Sequence, residues 1–360
     1  MFRGIESLPG TLVAMVQRGY YSSISVLSAF SLLNSVNLLR EYFGTAISGR
    51  ASHRRCSSSV ETLSLVTRRL HYPATLFSET PTLLRPGVGL ALGGGFARGY
   101  AHLGVLRVFE EHEIPISCIA GSSIGSILGA AYASGTPLSR IISHCRQIRF
   151  RDFARWRVSR FGLASNERLG ALVHRFFDSQ QFEDLAIPTA IVATDLGNGD
   201  PVVFRQGGLA EAIRASCAFP GLFEPVQIGT RCLADGGLVA PVPTRAAREL
   251  GAEIVVGVSV GLQDGHGGAP TNIFQVVSRA VSAAQKHQFE AWERHADLVL
   301  HPAVQSLAWD DFERIDEAVE AGACAARNAL PRLMKLLVSR FEQPSEFGKQ
   351  GELLLAGLHQ

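Results

Sequence analysis

At 360 residues the chain can hold one large domain or two ordinary ones, and its 46% hydrophobic and 18% charged residues exclude a disordered or fibrous protein. A net charge of +2 argues against nucleic-acid binding, and the charge is uneven: residues 1–85 carry nine Arg, no Lys and four Glu, hence +5, leaving −3 for the remainder. The six cysteines (56, 118, 145, 217, 232 and 324) are scattered without a Cys-x-x-Cys pair, so neither a disulfide framework nor a zinc site is expected. Two lie in predicted strands and one in a predicted helix, as buried structural thiols do.

Residues 1–85 read as an N-terminal extension, partly amphipathic or loosely ordered. From Ser22 to Leu39, apolar Ile24, Val26, Leu27, Phe30, Leu33, Val36 and Leu38 alternate with Ser and Asn, which predicts an amphipathic helix with an uncharged polar face. It is too short and too serine-rich to span a membrane. An interfacial helix, an Arg- and Ser-rich targeting peptide and a loose extension all stay open. No export signal is in order, so a cytoplasmic protein is expected, with peripheral membrane contact left open.

Pro81 to Pro86 reads as a linker, followed by a catalytic domain over 86–330 with its motifs in 88–243, and a C-terminal helix and tail over 331–360. Val88–Leu92 is a short buried strand running into Gly93–Gly99, then a helix from Tyr100 to His112 and a second strand from Ile114 to Ala120. A helix follows to Ala133, and 138–148 and 166–178 look helical. Between those two helices lies Arg149 to Arg160, where Arg149, Arg151, Arg155, Arg157 and Arg160 interleave with Phe150, Phe153 and Trp156. It reads as a solvated loop anchored by its aromatics, or as a basic rim that meets lipid head groups.

Strands follow at Pro188–Thr194 and Pro201–Phe204, a helix at Leu209–Ser216, and a short strand Cys232–Ala234 ending in Asp235-Gly236-Gly237. Next come a helix Pro243–Leu250, a strand Glu253–Val260, a long helix Ile273–Ala296, a strand Leu298–His301 and a last helix Phe312–Phe341. This alternation predicts an α/β fold: three layers, with helices on both faces of a central, mostly parallel sheet.

Gly121-x-Ser123-x-Gly125 sits where a strand turns sharply into a helix, which places a serine at the apex and uses the flanking glycines where the backbone crowds. The helix N-terminus beyond it favours developing negative charge. A serine hydroxyl needs a base and a site for the oxyanion. The glycine loop after the first strand can converge backbone N–H groups on one point. A dinucleotide reading of that loop fails because Arg98 occupies the sixth position from Gly93, and no Gly-Lys-Ser/Thr supports a phosphate loop.

For the base, His301 at a strand end is the best histidine, and His102 reads as packed core. Asp235 is more persuasive, since two following glycines leave its carboxylate open to a neighbouring loop and partial burial raises its pKa. Asp195 fits a turn cap, and Asp310-Asp311 an N-cap of the last helix rather than a metal pair. No metal site is expected.

Three motifs in this order on strand ends, Gly94–Gly99, Gly121-x-Ser123-x-Gly125 and Asp235-Gly236-Gly237, resemble the patatin-like phospholipase family, nearest its bacterial and neuropathy-target-esterase-like branch. Supporting runs are Ala101–Leu106, Ala193–Leu196 and Arg214–Gly221. The resemblance implies a Ser–Asp dyad, with Ser123 the nucleophile and Asp235 the general base. It implies an oxyanion hole from the backbone of Gly94, Gly95 and Phe96, with Arg98 and Gly99 shaping the loop. The substrates implied are acyl esters of phospholipids or lysophospholipids, cleaved without a cofactor. Phe96 departs from the family pattern, standing in place of a third glycine; its N–H donor survives but its side chain resists positive φ. An acyltransferase on the same scaffold and a membrane-associated binder with little turnover remain as alternatives.

Overall fold

The computed structural model describes residues 87–342 apart from 158, 178–179, 262–268 and 271–272, so the N-terminal extension and its amphipathic segment lie outside the described residues. The chain divides into Met1–Thr80 and Pro81–Gln360, and every described residue belongs to the second unit. In order, the elements begin β1 (Val88–Leu92), α1 (Ala101–Glu111), β2 (Ile116–Ser122), α2 (Ile124–Ala133), α3 (Leu138–Gln147) and α4 (Phe150–Phe153). They continue with β3 (Arg155–Trp156), β4 (Ala164–Ser165), α5 (Glu167–Phe176), β5 (Thr189–Asp195), β6 (Pro201–Phe204) and α6 (Leu209–Ser216). The last are β7 (Val226–Ile228), β8 (Arg231–Asp235), α7 (Thr244–Glu249), β9 (Ile254–Val258), α8 (Ile273–His287), α9 (Phe289–Glu293), β10 (Leu298–Leu300) and α10 (Ile315–Glu342).

Among the described residues the main sheet has eight strands in the order β10-β9-β1-β2-β5-β8-β7, with β6 paired to β5. The five from β10 to β5 are parallel; β6, β7 and β8 are antiparallel to their neighbours. The strands alternate large and small. Val88, Leu90, Leu92, Ile119, Ile191 and Val256 pack into a core with α1, α2 and α10, while Ala91, Cys118, Ala120 and Ala190 face α7 and α9. The small residues let α7 and the turn after it lie close: a Cβ on Gly89 would come within 2.4 Å of the Ala252 Cβ.

Several elements differ from expectation for identifiable reasons. The second strand runs two residues further than expected, to Ser122, because β5 pairs with it up to Val192. The long helix expected over 273–296 breaks at Gln288, where α9 begins. The loop expected over 149–160 is more ordered: Phe150–Phe153 makes a helical turn, and Arg155–Trp156 pairs antiparallel with Ala164–Ser165. The last helix starts at Ile315 and runs through Pro331; Leu333 and Leu337 are buried in the main core, so the expected boundary at 330 falls inside this element. Asp311 does not cap it, because its carboxylate accepts the Ala308 N–H at 2.7 Å and organises the preceding turn. Cys118, Cys145 and Cys217 are buried, but Cys232, in its strand, and Cys324 are exposed.

Candidate active site

The serine sits alone between β2 and α2. Its φ of 52° and ψ of −126° are held by no regular element and are costly for a residue with a Cβ. Close packing enforces the turn. A Cβ on Gly125 would lie 2.1 Å from the Leu92 carbonyl oxygen, and one on Gly121 2.5 Å from the Ser126 Cα. Hydrogen bonds then over-determine it. The Ser123 N–H donates to Ser216 Oγ at 2.9 Å, and Ser216 Oγ donates to the Val192 carbonyl at 2.6 Å. The Ser123 carbonyl accepts from Ser126 Oγ at 2.6 Å. Ser216 was not singled out in the sequence; the Arg214–Gly221 run was its only signal.

Asp235 reaches this serine through the edges of β5. Residues 191–194 of β5 pair with β6 on one edge. On the other edge β2 pairs only up to Val192, then departs into the elbow. β8 takes over from there, setting Asp235 opposite Ala193, so Ser122 and Asp235 are consecutive neighbours along one strand edge. Ser123 Oγ donates to Asp235 Oδ2 at 2.7 Å, and the Gly237 N–H donates to Oδ1 at 2.7 Å. Thr194 Oγ1 donates to the Asp235 carbonyl at 2.8 Å and fixes the strand end. Gly236 admits no side chain, since a Cβ would stand 2.0 Å from the Val192 carbonyl oxygen. Burial pushes the carboxyl pKa up to about 6 against the pull of the Ser123 and Gly237 hydrogen bonds.

In the glycine loop the Gly94 N–H donates to the Pro241 carbonyl at 3.2 Å. Gly94 serves the site by having no side chain: a Cβ would come to 3.2 Å from the Ser123 Cβ. The N–H groups of Gly95 and Phe96 have no partner among the described residues, while the next one, of Ala97, donates to the Trp309 carbonyl. Phe96 does adopt the positive φ that its side chain disfavours, at 52°. Its ring is edge-on to Phe219 at 5.2 Å and Trp309 at 5.3 Å between centroids, contacts that offset the backbone cost. Arg98 is turned away from the serine; its Nε donates to the Leu307 carbonyl at 2.8 Å and ties the loop to the segment before α10. Gly99 lets the loop lie on the first residue of α2, where a Cβ would meet Ile124 Cγ2 at 2.3 Å.

Beside Ser123 opens an apolar cavity of about 110 Å³. Its walls include Phe96, Ile127 and Leu128 of α2, Ile141 of α3, and Leu169 and Val173 of α5. The i, i+4, i+8 spacing of Leu169, Val173 and Phe177 was legible as an apolar helix face, but nothing in the sequence placed that face beside the serine.

The other candidates lie elsewhere. His102 is fully buried with Nε2 2.8 Å from the Gly93 carbonyl, and burial lowers its pKa to about 4. His301 follows β10, three strands from β2, and stacks on Phe289. Asp195 Oδ1 accepts the Gly197 N–H at 2.8 Å, an Asx-type turn. Among the described residues no His, Cys, Asp and Glu cluster could hold a metal, and no helix is long and apolar enough to cross a membrane.

Residues 90–248 match the family model of patatin-like phospholipases. An NTE family protein of Mycobacterium tuberculosis is 38% identical over 178 residues, 49% of this chain and 49% of that protein. Lysophospholipase NTE1 of Debaryomyces hansenii is 26% identical over 306 residues, covering 74% of this chain and 20% of that one. The chain thus spans about half the length of the mycobacterial relative and a fifth of the yeast one. Among solved structures, VipD from Legionella pneumophila aligns with a TM-score of 0.42 at 13% identity, covering 71% of this chain and 67% of that chain. The elbow, the aspartate loop and the glycine loop all fall inside the matched residues, and it is over this stretch that the chain is similar to the patatin-like phospholipases.

Proposed function

We propose that the chain is a serine acyl-ester hydrolase acting on lipids, of phospholipase A or lysophospholipase type, with residues 87–342 as its catalytic unit. The observation that carries this reading is the 2.7 Å hydrogen bond from Ser123 to a buried carboxylate at the mouth of an apolar cavity. Ser123 Oγ attacks the ester carbonyl carbon as its proton passes to Asp235 Oδ2. The N–H groups of Gly95 and Phe96, with the N-terminal end of α2, receive the oxyanion. Asp235 then returns the proton to the leaving alcohol. In deacylation it takes a proton from water as the water oxygen bonds to the acyl carbon; the bond from that carbon to Ser123 Oγ then breaks, Asp235 returns the proton to Oγ, and the fatty acid leaves. A carboxylate serves as base here because burial brings its pKa to about 6, closer to the working pH than an exposed aspartate. The cavity walls take the acyl chain.

The decisive experiment treats wild type, Ser123→Ala and Asp235→Asn with a fluorescent fluorophosphonate and measures p-nitrophenyl ester turnover in parallel. Labelling and turnover in wild type, with labelling lost in Ser123→Ala and turnover lowered on the order of a thousandfold or more in both variants, is the expected result. A wild type that neither labels nor turns over sinks the reading and leaves the binding-protein alternative. Labelling with release of acyl groups only to added alcohols, and not to water, would instead identify an acyltransferase.

A further inference from the structure

The strand pair β3–β4 presents apolar and cationic side chains together to solvent. Trp156 is 66% exposed and Phe161 58% exposed, whereas the other aromatics whose burial is described are buried or half-buried. Around them, Arg151, Arg155, Arg157 and Arg160 are all exposed, and none has an acidic partner among the described residues. The neighbouring Asp152 is spent on the Arg149 N–H at 2.7 Å, and Arg149 itself faces Glu313 at 3.5 Å. Arg160 lies over the Phe161 ring at 4.7 Å, which keeps a cation and an apolar ring on one spot.

This hairpin is attached to the site. The N–H groups of Leu163 and Ala164 both donate to the Leu222 carbonyl, at 3.1 and 2.8 Å, and the Glu224 N–H donates back to the Ala164 carbonyl. Phe223, between them, lines the cavity. A chain of ring contacts runs inward from Trp156 to Phe150 at 5.6 Å, from Phe150 to Trp309 at 6.3 Å, and from Trp309 to Phe96 at 5.3 Å.

We propose that the β3–β4 hairpin docks the enzyme on an anionic phospholipid surface. Trp156 and Phe161 enter the head-group region and the four arginines contact lipid phosphates. Charge complementarity selects this occupant. Aromatic rings with an apolar body and polar edge settle at the lipid–water boundary, and arginines on the same patch add attraction to anionic lipid that salt screens. A protein surface would have to supply matching carboxylates and an aromatic pocket. A membrane supplies both the phosphates and the apolar layer, and the cavity beside Ser123 then opens close to where acyl chains lie. The inference concerns binding and does not depend on turnover.

The test uses the full chain in a vesicle flotation assay, with phosphatidylcholine vesicles and with vesicles containing phosphatidylglycerol. Variants are Trp156→Ala with Phe161→Ala, and Arg155→Gln with Arg157→Gln and Arg160→Gln; thermal melts verify that each folds. The wild type is expected to float with anionic vesicles and to lose binding as salt rises. At about a factor of five per arginine, the triple variant should lose on the order of a hundredfold in partitioning, and the aromatic pair should weaken binding with the charge intact. Trp156 fluorescence, compared with a Trp156→Phe background, should shift to the blue on binding. Equal flotation of wild type and both variants would overturn the proposal, assigning any binding to another part of the chain. So would wild type that stays with the soluble fraction, or a dimer in sedimentation that the aromatic variant dissolves. A wild type that floats but has no esterase activity would uphold the docking surface while removing the hydrolase reading.

Discussion

At Asp235 the side chain proposed as the base carries a stability cost. Its carboxyl is buried and its pKa is raised from 3.8 to about 6, so the folded state prefers the proton more than the unfolded chain does. The penalty is absent below pH 3.8, grows as pH rises, and is complete above about 6, where it amounts to about 3 kcal/mol. The proposed mechanism uses the form that stability disfavours. Thus kcat/KM on a soluble ester should rise with pH through a midpoint near 6 and then level off. Asp235→Asn should be inactive yet melt higher than wild type at pH 8, with the advantage shrinking toward pH 4. Melts of both proteins across that range check it; a constant difference would mean that burial does not penalise the charge. Phe96 illustrates the same exchange in the backbone, where a disfavoured φ of 52° is held by ring contacts to Phe219 and Trp309.

At the scale of elements, the tightest helix crossing among the described residues is that of α1 and α10. A Cβ on Gly104 would lie 1.8 Å from the Val319 carbonyl oxygen, and one on Gly322 1.9 Å from that of Ala101. Backbone meets backbone at both positions, so no side chain can rotate away. Gly104→Ala and Gly322→Ala should each cost about 1–3 kcal/mol or more in urea denaturation, although alanine is the better helix former in isolation. Unchanged or raised stability would show that the helices separate freely. Since α1 follows the glycine loop, and Arg98 of that loop donates to Leu307 ahead of α10, the same variants should also lower esterase turnover.

At the scale of the whole molecule, within the second unit α10 returns to cover α1, and β8 brings Asp235 back to β2. Deleting residues 1–80 should therefore leave the melting temperature and soluble-ester turnover near wild type. The same deletion should reduce activity on vesicles if the extension adds lipid contact. Equal vesicle activity of the two proteins would leave lipid contact to the β3–β4 hairpin and the cavity mouth.

Much of this was legible along the chain because it is local. Short apolar runs ending in Gly-rich turns mark β1, β2 and β8. The glycines around Ser123 follow from a strand-to-helix turn whose geometry is set within five residues, and the two after Asp235 mark its carboxylate as one that a loop can approach. Distant contacts decided the rest. That Gly94 gives its N–H to Pro241, that Ser216 anchors Ser123, and that Leu169 and Val173 wall the same cavity all join residues far apart in the chain, so no spacing records them. The sequence alone determined which side chains could do chemistry and the order of the strands that hold them. Only the tertiary structure decided that β8 takes the edge of β5 that β2 leaves, because pairing between strands roughly forty and seventy residues apart is settled by packing and not by local preference.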